Sequence, residues 1–90
     1  MKANIGMKVQ GYRSRCIGVL IQANRWNGEI IKINKKSIRV HLTENINTFG
    51  SRETSRWSIS QDVTYTYWKT TSDGKEIYRS DARLYGIITL

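Results

Sequence analysis

Apolar residues recur at every second position in several short stretches of the chain, most clearly between Gly28 and Thr43. There Gly-Glu-Ile-Ile-Lys-Ile is followed by Asn-Lys-Lys-Ser and then by Ile-Arg-Val-His-Leu-Thr. A period of two is the signature of a strand with one covered face, so this stretch predicts a β-hairpin turning at Asn34–Ser37. Ile31 and Ile33 share one side of its first strand, and Ile38, Val40 and Leu42 share one side of its second. Ile30 and Lys32 take the opposite side of the first strand, Arg39 and His41 that of the second. One face of the hairpin is therefore apolar and the other largely cationic.

The same pattern predicts further strands on both sides. Met7–Gly11 alternates briefly, and Arg15–Ile21 is rich in branched residues, with Gly11 and Gly18 as positions for a bend or bulge. Asn24–Gly28 predicts a turn, because Asn-Gly is a strong signal for positive φ. Downstream, Glu44–Ser51 reads as a loop and Arg56–Ser60 as a strand with Trp57 and Ile59 on one side. Val63–Trp68 alternates again, with Val63, Tyr65 and Tyr67 on one face and Thr64, Thr66 and Trp68 on the other. Its threonine and aromatic content favours a strand. Ser72-Asp73-Gly74 predicts the next turn, with Lys75–Tyr78 returning antiparallel. Ser80–Gly86 suits a single helical turn, since it opens on capping residues and closes on glycine. Gly86–Leu90 is a closing strand.

Many short strands with glycine-bearing turns, no proline and no amphipathic helix predict a single all-β domain over residues 1–90, in the form of a small barrel. A modest core is within reach of a chain this long, and two cores are not. Trp57, Ile59, Val63, Tyr65 and Tyr67 are expected in it. Cys16, the single cysteine, is expected as a small buried or half-buried residue; it excludes an internal disulfide and cannot build a metal site alone. No window reaches the roughly 18 apolar residues of a membrane-spanning helix. No apolar stretch stands behind Met1–Lys8 to make a secretory signal, so a cytoplasmic protein with no membrane partner is expected.

Charge changes the picture most. The net charge is +8, and it is uneven: nine Lys and Arg stand against Glu29 and Glu44 before Asn45, but six against five acids after it. A clustered cationic excess attracts phosphates or an acidic surface. Catalytic patterns are missing, with scattered carboxylates and a lone His41 that has no evident orienting partner, so no enzyme and no cofactor are expected.

The pattern Gly28-x-Ile30-x-x-Ile33 followed by Ile38-x-Val40-x-Leu42 resembles the glycine-led hairpin of KOW- and Tudor-type SH3-like barrels, as found in small proteins of phages and mobile elements. The resemblance is confined to this hairpin. It implies a strongly bent sheet of about five strands, with an OB-type barrel as the structural alternative, and binding of RNA, DNA or protein. Together with the charge, it gives the functional expectation: a small basic protein that contacts the nucleic-acid backbone through Arg25, Trp26, Lys32, Lys35, Lys36, Arg39 and His41. Trp26, in the turn before the hairpin, is the ring expected to stack on an unpaired base. The alternative is an interaction module that docks on, and regulates, an acidic partner protein.

Overall fold

The computed structural model describes residues 2–81 and 84–90. Six strands run in chain order, β1 (Lys8–Ile17), β2 (Leu20–Ile33), β3 (Ser37–Phe49), β4 (Arg52–Thr70), β5 (Glu76–Ser80) and β6 (Ile87–Thr89). Each pairs antiparallel with the next, and β6 returns to β1, closing a barrel of the small SH3- or OB-like kind. Closure gives the strands at the seam a partner on both sides and so removes an edge that would otherwise invite aggregation. Six strands replace the expected five or so, because β5 and β6 both pair within the barrel wall. No helix is present among the described residues. The helical turn expected over Ser80–Gly86 falls partly on 82 and 83, outside the described residues; Ser80 itself belongs to β5.

The barrel holds the core. Val9, Ile30, Ile38, Val40, Leu42, Val63, Tyr65, Tyr78 and Ile88 point inward from all six strands, and Trp26 and Ala3 belong to the same buried cluster. Ala3 belongs to an N-terminal strap that extends the β1–β2 ladder through Gly6 N–H to the Ile30 carbonyl and Ile30 N–H to the Met7 carbonyl, 2.8 and 3.0 Å. Tyr65 donates its buried hydroxyl to the Tyr85 carbonyl at 2.9 Å, which ties the turn before β6 across the barrel end.

Beyond the barrel, β1 to β4 continue as a four-stranded arm. The arm explains two corrections. The turn expected at Asn24–Gly28 is strand: the β1–β2 turn lies at Gly18-Val19, where Gly18 adopts a φ of 59°. Gly28 serves close packing instead, since a Cβ there would stand 2.7 Å from the His41 carbonyl oxygen and 2.8 Å from Val40 Cγ1. The loop expected over Glu44–Ser51 is also strand as far as Phe49, because Asn45, Ile46 and Asn47 pair with both β2 and β4. The asparagines on either side of Ile46 hide a strand from a reading that requires one apolar face.

A bulge corrects the hairpin. The β2–β3 register shifts between Ile30 and Lys32, so regular alternation breaks at Ile31. Ile30 is fully buried and Ile31 is 42% exposed, the reverse of the expected faces. Ile38, Val40 and Leu42 are inside, as their spacing predicts. Trp57 and Tyr67 are exposed rather than in the core, as is Cys16. Trp57 lies on the arm, beyond the barrel wall, and the closed interior is already filled by Tyr65 and Tyr78.

Candidate nucleic-acid interface

The hairpin gathers most of the expected cations. Lys32 and Arg39 are cross-strand neighbours, and Lys35 and Lys36 occupy the β2–β3 turn; all four are exposed. No carboxylate among the described residues lies within ion-pair distance of Lys32, Lys35 or Lys36. Lys35 and Lys36 border a shallow depression of about 250 Å³ with Tyr67, Glu76 and Tyr78. At its base the Lys2 amide donates to Glu76 Oε1 at 2.7 Å, the first cause of a carboxyl held below the usual carboxylate range. The Tyr78 hydroxyl donates to the same oxygen at 3.0 Å, and its pKa is pushed up to about 12, chiefly by burial.

Arg39 and His41 are both engaged by one acid. Asp62 on β4 stands opposite His41 on β3 and accepts at 2.6 Å from Nδ1, while its other oxygen lies 3.9 Å from Arg39 Nε. His41 therefore has the orienting partner that its own strand does not supply. Glu29 flanks it on β2 and is itself 3.6 Å from Lys8 Nζ, so the row Lys8, Glu29, His41, Asp62 sets bases and acids side by side across four strands. Exposed pairs of this sort contribute about 0 to 1 kcal/mol. Their main consequence is to neutralise this part of the face.

Two expected members lie elsewhere. Arg25 is seven residues before Lys32 along β2, roughly 20 Å away at about 3.3 Å per residue, and belongs to the junction of barrel and arm. Trp26 is 6% exposed and packs edge-to-face on Tyr85, centroids 5.6 Å apart. A ring so enclosed is part of the core and is not available to a base, which corrects the expected stacking role. Strand alternation gives the reason: Trp26 lies on the buried side of β2 with Gly28 and Ile30, and at its partner Gly11 a Cβ would stand 2.7 Å from both the Tyr65 hydroxyl and the Tyr85 carbonyl oxygen.

A second cationic set was missed in the sequence. The β4–β5 register shifts between Tyr67 and Lys69, a bulge at Trp68, and Lys69 Nζ and Arg79 Cζ both stand over the Trp68 ring, 4.3 and 4.4 Å from its centroid. The expected face for Trp68, opposite Val63 and Tyr65, is the observed one: the indole is 44% exposed. From Arg79 a cross-strand row continues through Ile87 on β6 and Tyr12 on β1 to Arg25 on β2. Arg25 Cζ lies 5.5 Å from the Tyr12 centroid. Between Tyr12 and Arg79 lies a depression of about 350 Å³ lined also by Arg13, Ser14, Gly86 and Ile87. Cation–π contacts at exposed sites are worth about 0.5 to 1 kcal/mol, so each ring is covered by a group that leaves it at little cost. Lys69 and Arg79 sit in the charge-balanced half of the chain, where a count of charges gives them no weight. Only their position over an exposed ring distinguishes them.

No family model, no characterised protein and no solved structure matches the chain.

Proposed function

We propose that the protein binds nucleic acid, with the turn end of the β2–β3 hairpin contacting the sugar-phosphate backbone. The observation that carries this reading is the trio Lys32, Lys35 and Lys36, exposed with no carboxylate at ion-pair distance among the described residues, while nearby Glu29 and Asp62 are engaged by Lys8, Arg39 and His41 and Glu76 accepts from the Lys2 amide and the Tyr78 hydroxyl. An unneutralised cluster on a chain of net charge +8 gives a local field that phosphates answer without any base being read. This is a binding role, electrostatic in origin, and assigns no reaction to the protein.

The test is the salt dependence of binding to a labelled duplex, followed by fluorescence anisotropy. Log affinity should fall with log salt by about 0.9 per phosphate neutralised. The variant Lys32→Gln/Lys35→Gln/Lys36→Gln should flatten that slope by about two to three units without changing sequence preference. Wild-type protein that binds neither duplex nor single strand at about 50 mM salt, or a triple variant whose slope is unchanged, would replace this reading with docking on an acidic protein partner.

A further inference from the structure

The outer surface at the barrel seam, from β2 across β1 and β6 to β5 and the β4 bulge, alternates rings and cations. In order around the wall stand Arg25, Tyr12, Ile87, Arg79 and Trp68, with Lys69 beside the last. Adjacent strands are about 4.8 Å apart, so Tyr12 and Arg79, separated by β6 alone, face each other across about 10 Å. The depression between them is floored by Ile87. None of Arg25, Lys69 and Arg79 has an ion-pair partner among the described residues. Exposed Tyr12 and Trp68 contribute nothing to the enclosed core, and both keep a cation at the ring face.

An unpaired nucleic-acid strand presents the complementary series, a flat base for each ring and a phosphate for each cation. Duplex buries its bases in its own stack and offers the rings nothing. An acidic polypeptide would satisfy the cations and leave the rings wet. We infer that the seam is a binding site for single-stranded nucleic acid, which rests on the nucleic-acid reading above and narrows its ligand to unpaired strands. Bases stack on Trp68 and Tyr12, and the side chains of Arg79, Lys69 and Arg25 swing from the rings to adjacent phosphates.

The experiment compares three labelled ligands by anisotropy: a single strand of about 12 nucleotides, within the site sizes usual for such surfaces, its duplex, and an abasic strand of equal length. Trp68→Leu and Tyr12→Leu should each weaken single-strand binding by about 5- to 100-fold and leave duplex and abasic affinities within about twofold. Trp57→Leu is the control, since Trp57 is 47% exposed but carries no cation over its ring among the described residues, and it should change nothing. Independently of any variant, the indole emission of the wild type should be quenched by the single strand and not by the abasic one. Ring variants that bind single strands as wild type does, equal losses on all three ligands, or unquenched emission would overturn the inference. If the wild type binds duplex and abasic strands with a steep salt slope while the ring variants are unaffected, only this inference falls. If it binds none of the three ligands, the broader reading falls with it.

Discussion

The bulge at Ile31 makes a sharp prediction, because it puts Ile30, and not the chemically identical Ile31, on the core side together with Ile33. Ile30→Ala removes roughly three methylene equivalents from a fully buried site, at about 0.8 kcal/mol each, or about 2.4 kcal/mol of transfer energy. The void adds to this, since Val40 faces Ile30 across the ladder and the closed barrel cannot collapse around the gap. A loss of about 3 to 4 kcal/mol is expected, inside the usual range of about 2 to 5 for such truncations. Ile31→Ala removes the same atoms from a side chain that is 42% exposed and leaves no enclosed cavity, so about 1 kcal/mol is expected. Urea titrations followed by circular dichroism give both values, provided the m-value is unchanged. At about 5 °C per kcal/mol for a domain of this size, the melting points should separate by about 10 to 15 °C. An Ile31→Ala loss equal to or larger than the Ile30→Ala loss would mean that Ile31 and Ile33 alternate regularly on the core side and that the bulge is wrong.

Two further outcomes follow from particular groups. Asp62→Asn removes the carboxylate shared by Arg39 and His41, so under the nucleic-acid reading duplex affinity at low salt should rise and the salt slope steepen by about one unit; an unchanged slope would show that neither base faces the phosphates. Burial pushes the phenols of Tyr65 and Tyr78 up, Tyr78 from 10.0 to about 12. A folded value above the unfolded one means that the unfolded chain releases protons first, so the stability these groups contribute is intact below about pH 10 and lost as pH rises through the folded value. The urea midpoint should therefore drop between about pH 10 and 12, where tyrosinate absorbance near 295 nm rises, and a midpoint that stays flat through this window would contradict the burial of both rings.

What the sequence determined by itself was the local alternation. Ile38, Val40 and Leu42 point inward as their spacing requires, Val63 and Tyr65 share the inner face of β4, and Ser72–Gly74 and the closing strand stand where turn residues and branched residues put them. The cationic excess of the first half was legible too, since charge needs no fold to be counted. Single-residue bulges were not legible, because an inserted residue at Ile31 or Trp68 shifts the phase of the pattern without changing its composition. Nor was the arm, whose polar β3 segment pairs on both sides and so lacks the apolar stripe that marks a covered strand. The site was the least legible part. Asp62 reaches His41 across 21 residues of chain, and Tyr12 meets Ile87, and through it Arg79, only when β6 closes on β1. Which cations are neutralised and which stand over a ring is a matter of register between strands distant in the chain, and that register is set by barrel closure, which no local pattern encodes.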